Sequence, residues 1–258
     1  MALKIATWNV NSIRLRLGLL RRLVEEHSPD VLCLQETKVP DELFPREEVA
    51  ALGYRHTLIH GMKGYNGVAI LSRHSLKAAE TRSWCERQDC RHAVVELPGG
   101  IELHNLYVPA GGDIPDPEQN PKFAHKLRFM DEITDWFGRE RRADRKMVLV
   151  GDLNIAPLET DVWSHKQLLS VVSHTPVEVE KMDRLQRTLG WVDAARRFVP
   201  PERRLYSWWS YRNRDWAKSD RGRRLDHVWV TPALSGALKS AQVLREARGW
   251  TTPSDHVP

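Results

Sequence analysis

The sequence predicts one α/β domain, because short apolar runs of strand length alternate with segments of helical period and no linker or repeat interrupts them. At 258 residues the chain lies within reach of a single core, which stops growing near ~250 to 300 residues. Residues 5–10, 31–34, 68–71, 103–108, 147–150 and 228–230 are rich in Val, Ile or Leu and read as buried strands. Three helices are expected between them. The first carries Leu15, Leu19 and Leu23 after the capping candidates Asn11 and Ser12, and stops at Pro29. The second carries Phe123, Leu127, Met130, Ile133 and Phe137 and stops at Gly138. The third carries Val179, Met182, Leu185 and Leu189 and closes at Gly190. Residues 110–121, rich in Gly, Pro and Asp, form the longest loop, a length that suggests function.

Composition narrows the function classes. Hydrophobic residues make up 41% and charged residues 28%, which permits a core and excludes a disordered chain. No run of ~18 apolar residues exists to cross a membrane, and residues 1–10 lack the apolar stretch of a signal peptide. Cys33, Cys85 and Cys90 are an odd set that suits no disulfide framework, so a reducing, cytoplasmic compartment is expected. Cys85, Cys90 and His92 lack the second ligand pair of a zinc site and read as free thiols. A net charge of +5 favours an anionic partner, with nucleic acid foremost. Half of the 20 aromatic residues are Trp, the side chain with the largest stacking face.

Several strands finish in polar residues that a core would not choose. The first leads to Trp8 and Asn9, the second to Gln35 and Glu36, and the run at 147–150 to Gly151, Asp152, Leu153 and Asn154. Any one of these is ordinarily a solvated strand end; their recurrence argues for an active site at one rim. Asn9, Glu36, Asp152, Asn154, Asp226, Asp255 and His256 supply carboxylates, amides and an imidazole, without a Ser or Cys nucleophile beside a His. Oxygen-rich donors suit a hard cation such as Mg²⁺ or Mn²⁺, and such a cation suits phosphoester hydrolysis. No P-loop or dinucleotide-binding glycine motif is present.

Six motifs then occur in order: Ile5-Ala-Thr-Trp-Asn-Val-Asn11, Leu34-Gln-Glu-Thr-Lys38, Tyr65-Asn-Gly-Val-Ala-Ile70, Gly151-Asp-Leu-Asn-Ile-Ala-Pro157, Leu225-Asp-His227 and Pro253-Ser-Asp-His-Val-Pro258. Together they resemble the exonuclease III family of abasic-site endonucleases, of bacterial type, within the endonuclease/exonuclease/phosphatase superfamily. The resemblance runs over almost the whole chain. It implies a four-layered α/β sandwich, two mixed sheets face to face with helices outside, and a catalytic site at one end.

Carried over residue by residue, the resemblance makes Glu36 the principal Mg²⁺ ligand with Asn9 beside it, Mn²⁺ being able to substitute. Asp152 would deprotonate the attacking water, and Asn154 would fix that carboxylate and the scissile phosphate, both within reach of the metal. His256 would hydrogen-bond a phosphate oxygen as a cation, oriented by Asp226. Tyr107 matches the family's active-site tyrosine, beside the phosphate and leaving group. Asp255 would belong to a second or alternate metal position. A base active at neutral pH has to be ionised, so Asp152 is expected near its reference pKa of ~3.9. Residue 11 is Asn where some members carry Asp, which removes a charge and predicts one tight metal. Family members continue with a strand after the last motif, so in its absence Asp255 and His256 are expected to be poorly anchored.

Substrate choice has to come from outside the metal site. Residues 203–224 hold eight Lys or Arg against two Asp, interleaved with Trp208, Trp209 and Trp216. That pattern fits duplex DNA carrying a lesion better than a lipid or inositol phosphate, the alternative substrates of the superfamily. A silent DNA-binding module is the other alternative. By resemblance, Trp208 lines the pocket for a flipped abasic sugar, Arg212 lies at the intercalating edge, and Arg223 and Arg224 contact DNA. Strand alternation puts Trp209 on the opposite face, in the core. The basic run at 139–146 reads as a solvated helix end. The expected protein is a monomer acting on duplex DNA with abasic sites or 3′ ends.

Overall fold

Continuous apolar runs such as Val31-Leu-Cys-Leu34 signal strands covered on both faces, because side chains alternate between them. The computed structural model, which describes residues 2–258, has two sheets of this kind. The first contains β1 (Ile5–Asn9), β2 (Val31–Gln35), β3 (His56–His60) and β4 (Val68–Ser72), in the order β1-β2-β4-β3. The second contains β5 (Lys77–Trp84), β6 (Arg87–Leu97), β7 (Ile101–Tyr107), β8 (Met147–Asp152), β9 (Val192–Asp193) and β12 (Asp226–Val230), in the order β5-β6-β7-β8-β12-β9. A ribbon of β10 (Trp208–Trp209) and β11 (Gly222–Arg223) stands apart. Both sheets are mixed: β1 and β2 are parallel, as are β7 and β8, and the other pairs are antiparallel.

The alternation assigns each residue to a layer. Val31 and Cys33 of β2 pack with Val68, Ile70, Val95, Leu103, Val148 and Val150 in the core between the sheets. Leu32 and Leu34 point the other way, onto α1 (Ile13–His27) through Leu20, Leu23 and Val24. Met147 and Leu149 of β8 pack outward with Phe129, Met130, Ile133 and Phe137, and with Met182 and Leu185. Those residues lie on α3 (Pro121–Glu140) and α5 (Pro176–Thr188). The result is the expected sandwich of helix, sheet, sheet and helix. Shorter helices, α2 (Arg46–Ala51), α4 (His165–Leu168), α6 (Trp216–Ser219) and α7 (Pro232–Ser235), fill the connections.

Local expectations fared unevenly. The face of α1 that is buried comprises Ile13, Arg16, Leu20, Leu23 and Val24, whereas Leu15 is 67% exposed. Neither Asn11 nor Ser12 caps α1 with its side chain. The Ser12 and Ile13 amides donate instead to the Glu36 and Thr37 carbonyls at 2.8 and 3.2 Å, tying the two motifs together. Helix α3 begins at the last residue of the expected loop, with Asn120 accepting from the Lys122 amide and Pro121 in the first turn. It continues through Gly138 to Glu140, since a single glycine costs a helix only about 1 kcal/mol. Thr175 and Glu178 form a capping box at the start of α5, and all three cysteines are buried and free.

The final motif is well anchored. Ser254 Oγ donates to the Asn9 carbonyl, Trp8 Nε1 to the His256 carbonyl, and the Trp209 and Val257 amides to Asp255 O and Ser207 O. These bonds hold Asp255 and His256 between β1 and β10, so the expected looseness is not found.

Candidate active site

Asn9 and Asp152 end β1 and β8 on the face between the sheets, and Glu36 follows β2, where its left-handed backbone turns it toward the same rim. The Asn9 carboxamide joins them, since Nδ2 lies 2.9 Å from both Glu36 Oε1 and Asp152 Oδ2. Tyr107, the last residue of β7, donates its phenol proton to Glu36 Oε1 at 2.8 Å, and Lys38 Nζ lies 2.8 Å from Glu36 Oε2. Asn154 donates its amide to Asp152 Oδ1 at 2.9 Å and its side chain to Asp152 Oδ2 at 3.1 Å. Asn11, Glu36, Lys38 and Asn154 all adopt positive φ, between 44° and 55°. Asparagine tolerates that left-handed backbone better than most residues, and Glu36 does so at some cost in strain.

On the opposite side, His256 Nδ1 lies 2.8 Å from Asp226 Oδ2, and its Nε2 lies 3.6 Å from Asp152 Oδ2. Ser207 Oγ donates to the same Asp226 oxygen at 2.6 Å, fixing the carboxylate that orients the ring. Asp152, Asp226 and His256 offer ligand atoms all within 4.8 Å of one another, a spacing that would hold a metal ion only with the ring neutral. Asp226 Oδ1 is buried without a hydrogen-bond partner among the described residues. With the carboxylate of Glu36 and the amides of Asn9 and Asn154 alongside, the donor set fits a hard divalent cation. Asp255 is outside that cluster, because its two oxygens accept from Asn11 Nδ2 at 3.1 Å and Trp208 Nε1 at 3.0 Å.

Burial and charge set the protonation states. Burial favours a neutral His256 ring, but Asp226 and Asp152 outweigh it and push its pKa up to about 10, so the ring is a cation. Burial also lifts the Asp152 carboxyl above the ordinary aspartate value; the charge of His256 opposes this, and Asp226 and Glu36 add to it. The expectation that Asp152 titrates like a free aspartate is therefore corrected: it is almost wholly enclosed and has two carboxylates for neighbours. For Glu36, burial works upward, yet hydrogen bonds from Asn9 and Lys38 and the charges of Lys38 and His256 leave the carboxyl below its usual value. Burial, Glu36 and Asp152 raise the Tyr107 phenol far above its usual value, so it keeps its proton.

These groups open onto a cleft of about 690 Å³. Trp208 and Arg212 line it, and Gly112 and Asp113 bring in the long loop. Arg223 lies over the Trp208 ring at 5.2 Å and donates to Val172 O and Ser173 Oγ. Trp163, with Arg221 4.7 Å over its ring, lines the same cleft; no charge run or motif in the sequence marks it. Trp209 is in the core, as alternation requires. Arg224 is a correction: it is 2% exposed, paired with Asp161 through Nε and Nη2 at 2.8 and 3.0 Å and with Asp193 at 2.6 Å, so it braces the fold and does not line the cleft. Lys38 could have been found in the sequence, two positions after Glu36 within its motif.

A layered sandwich with ordered carboxylates, carboxamides and an imidazolium at one rim defines a phosphodiesterase. The model of the Endonuclease/Exonuclease/phosphatase family matches residues 6–256. The chain belongs to this family, and within it to the exonuclease III and AP endonuclease branch. Exodeoxyribonuclease III of Haemophilus influenzae is 29% identical over 99% of this chain and 98% of its own. Among solved structures, an AP endonuclease from Archaeoglobus fulgidus superposes with a TM-score of 0.91 at 32% identity, covering 99% of this chain and 96% of its own. The 3′-5′ exonuclease NExo of Neisseria meningitidis gives 0.90 at 33%, covering 99% and 97%; the 3′ phosphatase NExo from Neisseria, similar to the same degree, was solved with a product DNA hairpin.

Proposed function

We propose that this chain is a Mg²⁺-dependent DNA repair hydrolase that cleaves the phosphodiester 5′ to abasic sites in duplex DNA. It also acts on 3′ ends as an exonuclease and phosphatase, with Mn²⁺ able to replace Mg²⁺. The observation that carries this reading is the convergence of a fixed carboxylate, Asp152, and a charged imidazole, His256, in a cleft walled by Trp208 and Arg223. The DNA hairpin bound to the Neisseria relative supports a nucleic acid over a lipid or inositol phosphate.

Glu36 and Asn9 would hold the cation, whose charge, when bound, offsets the negative charge that gathers on the phosphoryl and leaving oxygens. Asp152, its lone pairs directed by Asn9 and Asn154, takes the proton of the attacking water. A carboxylate with raised pKa is the stronger base for this transfer. His256 offers a charged N–H to a phosphate oxygen, and that bond strengthens as charge develops in the transition state. Tyr107, held in its protonated form, supplies a proton on the leaving-group side. Asn11 adds no charge and Asp255 is engaged by two donors, which supports one tightly held cation.

A sugar without a base flips out cheaply and is small enough for the Trp208 wall, so an intact nucleotide is disfavoured by size. Arg203, Arg204, Arg212, Arg214, Lys218 and Arg221 are exposed and supply positive charge for DNA phosphates. The test is product mapping on one duplex carrying an abasic site, a recessed 3′ end and a 3′-phosphate, in Mg²⁺ and in EDTA. A nick 5′ to the abasic site in Mg²⁺ alone is expected. Retained binding with no cleavage of any arm would make the chain a silent DNA-binding module. Two tightly bound metals by calorimetry would overturn the single-cation assignment.

A further inference from the structure

Lys126 is a lysine on the apolar stripe of α3, in register with Phe123, Met130, Ile133 and Phe137, and it is completely buried. Its ammonium meets Glu178 Oε1 at 2.5 Å, the Asn154 carbonyl at 2.8 Å and the Ala110 carbonyl at 3.4 Å. Three N–H donors thus have three acceptors. Glu178 is equally enclosed and accepts from the Ser173 and Thr175 amides and from Thr175 Oγ1. The packing is close, for a Cβ on Gly111 would lie 2.9 Å from Lys126 Cδ.

Burying an ion pair gains little stability over a well-packed apolar pair, so the reason for this one lies in what it holds. The Asn154 carbonyl belongs to the residue whose amide and side chain grip Asp152, and whose backbone is left-handed at φ 53°. Ala110 begins the long loop beside the cleft, and Ser173 lies on the cleft wall, where it accepts from Arg223. One buried charge pair therefore ties three segments around the same space.

We propose that Lys126, with Glu178 as its counter-ion, is a positioning residue that locks the Asn154 peptide and so fixes Asp152 for proton transfer. It rests on the nuclease reading above. The test compares wild type with Lys126→Met/Glu178→Gln, which removes both charges and keeps an oxygen for the helix cap. Three quantities are measured: kcat against KM on an abasic duplex, DNA affinity in EDTA, and hydrogen exchange of the Asn154 amide by NMR. A fall in kcat of about 10 to 100-fold is expected, with KM and affinity within about twofold, because a base displaced by a fraction of an ångström loses its alignment. The Asn154 amide should exchange faster while amides in β7 are unchanged. Unchanged kcat in an active enzyme, or unchanged Asn154 exchange, overturns the proposal. If wild type cleaves no DNA substrate, the nuclease reading fails, and the exchange measurement still decides the positioning role. Should the double variant not fold, Lys126→Gln is measured in the same three ways, and the same results support or overturn the positioning role.

Discussion

Asp152 and Asp226 stand directly opposite each other in the antiparallel register of β8 and β12, and His256 reaches one carboxylate with each ring nitrogen. Like charges opposed across a strand pair repel, and burial strengthens the repulsion. The protonated ring between them offsets it. The same proton thus serves the fold and the chemistry.

A pH dependence of stability follows. The folded pKa of His256 is raised from 6.5 to about 10, so its contribution is complete below pH 6.5 and is lost as pH rises through about 10. In EDTA, the Tm of wild type should therefore fall between those limits by more than the Tm of His256→Gln. Parallel curves for the two proteins would contradict the assignment of a charged ring.

Asp152→Asn keeps the size of the side chain and removes the base. Cleavage should drop by about 10²-fold or more, the scale of general-base catalysis, while DNA affinity in EDTA is retained. Residual cleavage near the wild-type rate would place the base elsewhere.

Trp208→Ala removes the ring under Arg223 and the donor to Asp255 Oδ2. Abasic-site cleavage should suffer more than removal of a 3′-phosphate, compared as kcat/KM on matched duplexes. Equal losses on both substrates would remove Trp208 from the pocket and leave it a support for Asp255.

Arg224→Met strands the buried carboxylate of Asp161, which among the described residues keeps only Arg196 as a charged partner. Urea denaturation should show a loss of about 3 to 5 kcal/mol, with no change in the salt dependence of DNA binding. A shallower salt dependence with unchanged stability would return Arg224 to the DNA surface.

The rim of the site was legible because a carboxylate or carboxamide at the end of an apolar strand has few structural reasons to be there, and Asn9, Glu36 and Asp152 all recur in that place. The inner strands were legible for the same reason, being apolar on both faces. Strands β3, β5 and β6 were missed: His56–His60 and Lys77–Trp84 are mostly exposed or half-exposed at sheet edges, and Arg87–Leu97 begins with polar residues, so none starts as an apolar run. Arg224 and Lys126 escaped for a different reason. A sequence displays a charge but not its partner, and Asp161 and Glu178 are 63 and 52 positions away respectively. In α3 the expected stripe position Leu127 is half-buried while Lys126 is enclosed, an offset of one residue that only tertiary packing decides.

The left-handed backbone at Asn11, Glu36, Lys38 and Asn154 bears on how such a protein can change over time or at the bench. A β-branched residue at any of these positions is opposed by the main chain before its chemistry is tested. Glycine relieves the torsion at each, but it deletes Glu36 or Asn154 from the cleft, or the Asn11 and Lys38 contacts that hold Asp255 and Glu36. Selection for thermal robustness alone will therefore drift towards relaxed, inert variants at these positions, and a stabilising library for this protein should hold all four fixed.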